Sequence, residues 1–337
     1  MSLVRAEFRR FFARRFILIM VALILVVLAS IALGFALNTH RITAADRTAA
    51  KAEAARIVAE QRQALTGEYT QCLEDKLAGN GKFAGMDCTE IQRMINYPYQ
   101  PSPDEFLPTH FDFRLEIQRT LYIAAAILGL FGFVVGASFV GAEWTSGGLT
   151  NLMLWRPRRV PVMAAKLGTA LASVFAVGAA YLVLWVGTMY AIGRFGGVST
   201  GATAGFWRST ALTSLRALTV GLAAAAIGFA LASLGRRTAA ALGIGIGYAL
   251  VAELGTYIVF QMINTAFPDR FRLSTYLGAW MNKRLVLTDQ GFCRYTIGEC
   301  RPREFVVNLG LSAWVGGTIV ALLVAAALLT FRRRDVT

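Results

Sequence analysis

Few side chains in this 337-residue chain are of a type that performs covalent or metal chemistry. There are two histidines, His40 and His110, and four cysteines, Cys72, Cys88, Cys293 and Cys300. Neither histidine neighbours a cysteine, which argues against a zinc site. An enzyme working inside a membrane would need His, Cys, Asp or Ser converging within its apolar segments. The apolar runs hold Glu253 as their one acid and no histidine. No G-x-x-x-x-G-K-[ST] pattern occurs, and Gly79-Asn80-Gly81-Lys82 is too short to wrap a triphosphate. Gly243, Gly245 and Gly247 lie inside an apolar run with no strand before them, so they are read as packing residues, like Gly132 and Gly136. No catalytic residue, metal or bound cofactor is therefore expected in this chain.

Two charges in apolar surroundings remain, Arg216 and Glu253. An ionisable group at membrane depth is costly unless paired or wet, which makes each a candidate site by default. Measured from the turn at Arg236, Arg216 lies about 30 Å and Glu253 about 26 Å along their helices at 1.5 Å per residue. Similar height on adjacent antiparallel helices points to an intramembrane ion pair. Glu253 lining a substrate path, and Arg216 snorkelling to the headgroups, are the alternatives.

The elements that must position these groups follow from composition. The chain is 56% hydrophobic and only 16% charged, with a mean hydropathy of +0.53, yet its net charge is +14. That combination excludes a disordered chain and argues against a soluble nucleic-acid binder. Six runs are long enough to cross a bilayer core of about 30 Å as helices: 16–37, 120–142, 162–192, 209–234, 238–263 and 306–331. The expected fold is an all-α integral membrane protein with six transmembrane helices in the cell (plasma) membrane. The basic charge is sided. Thirteen Lys and Arg, from Arg5 to Arg15, Arg156 to Arg159, Arg236 and Arg237, and Arg332 to Arg334, face only Glu7, Glu143 and Asp335. Residues 38–118 instead carry 9 positive and 12 negative charges. Lys and Arg beside short loops stay cytoplasmic, so both termini (1–15 and 332–337) are expected inside and 38–118 outside.

All four cysteines fall on the expected outer side. An even number there reads as two local disulfides, Cys72 with Cys88 and Cys293 with Cys300. Within 38–118, the Ala-rich stretch Ala44–Leu65 reads as a solvated helix prolonging the first span, with Glu53, Arg56 and Glu60 pairing along it. A turn at Gly79–Gly81, a helix over Thr89–Ile95 and an extended Pro98–Pro108 run follow. In the second outer loop, 264–305, the stripe Leu273, Tyr276, Leu277, Trp280, Met281 and Leu285 predicts a short helix, lying in the interface or packed on a neighbour. Trp185, Trp207, Trp280 and Trp314 are read as interfacial belts.

Between the second and third spans, residues 143–161 carry a denser pattern. Ala142-Glu143-Trp144-Thr145-Ser146-Gly147-Gly148-Leu149 is followed by Leu152-Met153-Leu154, Arg156-Pro157-Arg158-Arg159 and Lys166. This reads as a short helix stopped at a proline turn, with Leu149, Leu152 and Met153 on one exposed apolar face that needs a partner surface. The pattern resembles the permease subunits of ABC-2 type ATP-binding-cassette transporters, especially actinobacterial ones. Glu143, Gly148-Leu149, the leucine run, Pro157-Arg158-Arg159 and Lys166 carry the resemblance. So do the basic helix Val4–Arg15, the six-span layout and the ending Phe331-Arg332-Arg333-Arg334-Asp335. The threonine of the family's turn stands here at position 150, and the 38–118 segment is long for drug-export members. The resemblance implies a coupling helix, with Glu143, Gly148, Leu149, Leu152, Met153, Pro157, Arg158 and Arg159 facing a separate ATPase subunit that holds ATP and Mg. It also implies a second permease copy or homologous permease and export of an amphipathic or hydrophobic substrate. A non-transporting anchor or sensor, with a ligand-binding outer segment, is the alternative. Nucleic acid is not an expected partner; the bilayer is.

Overall fold

The computed structural model describes residues 13–83, 87–149, 151, 159–263, 265–289 and 301–333. Six helices are long and apolar enough to cross a membrane. They are α1 (Arg15–Leu37), α4 (Phe113–Thr145), α5 (Arg159–Phe195), α6 (Ala204–Gly235), the pair α7 (Thr238–Tyr248) and α8 (Thr256–Met262), and α10 (Leu309–Arg333). Between α1 and α4 stand α2 (Ala44–Ala78) and α3 (Thr89–Asn96); α9 (Leu273–Asn282) precedes α10. The chain is a multi-pass membrane protein. Most spans run beyond their apolar cores, because a helix continues until a cap or breaker stops it. Pro161 is tolerated in the first turn of α5, where its missing N–H has no partner anyway. Arg236, in the left-handed region at φ 56°, ends α6 and turns the chain into α7.

Contacts group the chain into two compact units. One comprises Ala32–Phe113 and Tyr190–Thr200. In it, residues 38–43 separate α1 from α2, so α2 is a helix in its own right and does not prolong the first span; it also reaches Ala78, well past Leu65. The reason is local. Thr43 accepts from the Asp46 amide while Asp46 accepts from the Thr43 amide, a reciprocal capping box that starts a new helix. Gly79, at φ 69°, ends it. The exposed Glu53–Arg56–Glu60 pairs lie along its solvated face. A disulfide joins Cys72 to Cys88 and, with Phe83 and Ile91, forms a small buried cluster that Leu65, Tyr69 and Ile95 complete. Cys293 and Cys300 lie outside the described residues.

The other unit holds most of the spans. Within it α4 crosses α6 at close range, made possible by small residues. A Cβ on Gly132 would strike the Gly221 carbonyl, one on Gly136 the Ala225 carbonyl, and one on Gly228 the Phe133 carbonyl. Among the described residues nothing comes near a Cβ built on Gly243 or Gly247 in α7, against their reading as packing residues within this chain, whereas one on Gly245 meets the Phe133 ring. Trp185 is fully buried and forms no belt, whereas Trp314 is exposed.

The fold is not wholly α-helical. β1 (Arg284–Asp289) and β2 (Arg303–Asn308) form an antiparallel hairpin, with Leu285 opposite Val307 and Leu287 opposite Phe305. Leu285 thus belongs to a strand, not to the preceding helix, because the apolar spacing changes from helical to alternating after Lys283. Asn308 then caps α10, its side-chain oxygen accepting from the Leu311 amide at 2.8 Å.

Two measurements check this packing. Gly136→Ala is expected to lower stability by about 1–3 kcal/mol in denaturant titration of the micellar protein, because its methyl has no room. Gly247→Ala, in open space, is expected to cost nothing. Replacing Cys72 and Cys88 by serine frees a 16-residue separation and is expected to destabilise the α2–α3 unit by about 3 kcal/mol. Faster proteolysis near Gly79 would report it.

Candidate coupling site

Glu143 stands third from the end of α4, and its carboxylate joins three elements. Oε1 accepts from Arg14 Nη2 at 2.8 Å, just before α1, and Oε2 meets Lys166 Nζ of α5 at 2.6 Å. Lys166 lies about 10 Å into α5 at 1.5 Å per residue, and its side chain is only 1% exposed against 10% for Glu143. A buried ammonium without a partner would cost several kcal/mol, so the carboxylate is a condition for Lys166 being there at all. Arg14 is further held by the carbonyls of Phe139, at 2.9 Å, and Ser138. Phe139 is one helical turn before Glu143, on the same face. Both cations approach its ring, Arg14 Cζ at 5.0 Å and Lys166 Nζ at 5.7 Å.

The neighbouring residues extend this junction. Trp144 meets Phe331 of α10 edge-on at 5.9 Å and lies under the Arg236 guanidinium at 5.3 Å. Gly141 faces the start of α7 so closely that a Cβ would strike Thr238. The last two turns of α4 therefore touch α1, α5, the α6–α7 turn and α10. Sequence reasoning assigned no such role to Gly141, Trp144 or Arg236. Their only signals were proximity to Glu143 and, for Arg236, a charge read as orientation alone.

Beyond Thr145 the chain turns at Gly147, φ 69°, and helix resumes at Gly148, with the Asn151 amide donating to the Gly147 carbonyl at 3.1 Å. Leu149 is fully buried. For Leu149 that corrects the expectation of exposure, since the helix resumes after the left-handed turn at Gly147 with this side chain inward. Arg159 opens α5. Leu152, Met153, Pro157 and Arg158, like the helix Val4–Arg15 up to residue 12, lie outside the described residues.

The second candidate pair does not meet. Glu253 sits in a π-helical segment, Ala249–Gly255, that links α7 and α8. It accepts from Tyr248 Oη at 3.1 Å, Ser274 N at 3.1 Å, Ser274 Oγ at 2.6 Å and Arg272 Nε at 3.4 Å. Arg216 donates instead to the Met281 carbonyl at 3.4 Å. Height along the helices was insufficient to pair them, because α9 supplies partners for both. Its N-terminal turn receives the carboxylate and its C-terminal turn the guanidinium, each at the helix pole that favours its sign. Trp280 fastens α9 to α6, donating to Thr219 Oγ1 at 3.0 Å, so α9 is a packed helix. Burial alone would lower the Arg272 guanidinium, but hydrogen bonds to Asp269 and Glu253 outweigh it and hold the group above its ordinary value. Among the described residues no group of three His, Cys, Asp or Glu side chains could hold a metal ion.

The family described as ABC-2 family transporter protein matches residues 1–336. No curated protein and no solved structure matches the chain significantly.

Removing either member of the buried pair is expected to be severe. Lys166→Met and Glu143→Gln should each destabilise the micellar protein by about 3–5 kcal/mol, Arg14→Gln by less because its side chain is 24% exposed. The double variant Glu143→Gln, Lys166→Met should recover part of the loss. Wild-type unfolding midpoints for both single variants would mean the bridge holds nothing together.

Proposed function

The chain belongs to the ABC-2 transporter family, and on that premise we propose an export permease whose ATPase docks on the loop between the second and third spans. Members of this family are membrane components of transporters and not enzymes, and the family implies partnership with an ABC ATPase subunit. ATP and Mg would be held there. The sided charge supports a plasma-membrane orientation with both termini and residues 143–161 cytoplasmic and α2, α3 and the β-hairpin outside. Docking would engage the loop around Gly148, Leu152, Met153, Pro157, Arg158 and Arg159, with buried Leu149 anchoring its start. A second copy or a homologous permease would complete the path for an amphipathic or hydrophobic substrate.

The single observation that carries this reading is the Glu143 bridge. The loop leaves α4 two residues after Glu143 and re-enters the membrane seven residues before Lys166. Any push on the loop is thus delivered to two helices that an ion pair binds together, and through Arg14 to α1. Such a junction converts movement of a docked subunit into joint movement of spans, the rigid-body type of transition. Glu253, held by four donors, is assigned to fastening α9 and not to carrying substrate.

The test is reconstitution with the ATPase subunit in vesicles. Glu143→Asp, which keeps the charge but shortens the reach, should retain copurification of the ATPase while ATP-driven export falls on the order of tenfold, equivalent to about 1.4 kcal/mol of lost coupling. Arg158→Glu with Arg159→Glu should instead abolish copurification. A wild-type complex that contains no ATPase would overturn the reading in favour of an anchor or sensor.

A further inference from the structure

A cavity of about 410 Å³ in the unit containing α2 is lined by three arginines, Arg41, Arg47 and Arg194, together with Gly197, Ser199 and Thr200. The volume is within the range of small-molecule sites, about 300–1,000 Å³. The arginines come from three separate segments: the α1–α2 connection, the first turn of α2 and the last turn of α5. None of the three makes an ion pair among the described residues, and no carboxylate lines the cavity. The nearby Asp46 carboxylate is committed to the Thr43 amide and hydroxyl.

Ordinary surface electrostatics explains only one of these charges. Arg194 at a helix C-terminus is favoured by the dipole, but Arg47 stands at the opposite pole, in a first turn, where a cation is disfavoured. The opposing wall is built, not slack. The Val198 amide donates to the Phe111 carbonyl at 2.9 Å and the Phe113 amide to the Val198 carbonyl at 3.0 Å. Thr39 Oγ1 ties the Phe111 segment to the turn, accepting from the Phe111 amide at 2.8 Å and donating to the Gly196 carbonyl at 3.3 Å. A Cβ on Gly197 would strike the Phe111 carbonyl. Three uncompensated guanidiniums thus converge on a hydrogen-bonded turn that presents two hydroxyl groups.

We propose that this cavity binds a phosphate-class anion, and that its source is the headgroup of an anionic phospholipid. Guanidinium groups pair with phosphate oxygens by parallel charge-assisted hydrogen bonds, and three converging ones match a phosphodiester better than a single carboxylate. The depth supports the lipid source. Leu37, the last residue of α1, and Phe195, the last of α5, are 75% and 78% exposed, so apolar side chains meant for hydrocarbon stop where the arginines begin. That is where a bilayer places its phosphates, and basic side chains there are drawn to anionic lipid. The bound headgroup would neutralise Arg47 at the α2 terminus and stitch the α1–α2 connection to the end of α5.

Native mass spectrometry of the delipidated full chain in neutral detergent tests this, with phosphatidylglycerol, phosphatidylcholine and inorganic phosphate as separate probes. Wild type is expected to retain one phosphatidylglycerol at least about tenfold more tightly than phosphatidylcholine. Arg41→Gln, Arg47→Gln and Arg194→Gln should each weaken it by roughly tenfold, while the corresponding Arg→Lys variants, which keep the charge but lose the paired hydrogen bonds, should lose less. These positions are exposed, so the variants are expected to fold, which unchanged melting temperatures would verify. Arginine-dependent binding of inorganic phosphate without lipid preference would sustain the anion site and reassign its source to a soluble ligand. Equal retention of every probe by wild type and all three glutamine variants would overturn the proposal.

Discussion

The structure depends on a carboxylate placed where two cations need it. Lys166 is a full turn and more inside the third span, where an ammonium without a partner is costly. Glu143 supplies the compensating charge from the second span and, with its other oxygen, recruits Arg14 before the first. The ion pair is weak evidence of stability in itself, since an apolar trio of equal shape could pack as well. What it supplies is register. Arg14, Glu143 and Lys166 come from three segments, and their contacts bring the end of α4, the start of α1 and the first turns of α5 together with each charge compensated. Phe139 completes it by offering both cations an aromatic face.

A second charge problem is solved differently. Glu253 and Arg216 could have neutralised each other across adjacent helices. The protein instead inserts α9 between them, so that the carboxylate meets the amide and hydroxyl of Ser274 at one pole and the guanidinium meets the Met281 carbonyl at the other. Each charge is satisfied by an oriented peptide dipole. The π-helical segment around Glu253 shifts its side chain relative to a regular helix. The result fastens a short, otherwise marginal helix of ten residues to two spans.

Apolar packing supplies the rest. Lipid offers no hydrophobic gain to helix association, so α4 and α6 adhere by close backbone approach at Gly132, Gly136 and Gly228. The second span is therefore the hub twice over: along its length by contact with α6, and at its end by charge, through Glu143, and by Trp144. In the unit with α2, where water is the solvent, a disulfide and a capping box take over the work that hydrophobic burial does too little of in so small a cluster.

By itself, the amino-acid sequence determined the six spans, because twenty-residue apolar runs at membrane depth have no alternative to helix. It also determined the Cys72–Cys88 pair, from a short separation in one segment, and the family, from the residues around Glu143. Tertiary structure alone decided who meets whom. Linear counting gives a residue's height along a helix but neither its azimuth nor the course of an intervening loop. For that reason Glu253 and Arg216 proved to have other partners, Leu149 turned inward, Gly243 and Gly247 met none of the described residues, and an alternating stretch after Lys283 became a hairpin. The Glu143–Lys166 contact has the same origin. Both residues belong to one recognisable pattern, but 23 positions separate them, and only the folding of α5 back along α4 closes that gap to 2.6 Å.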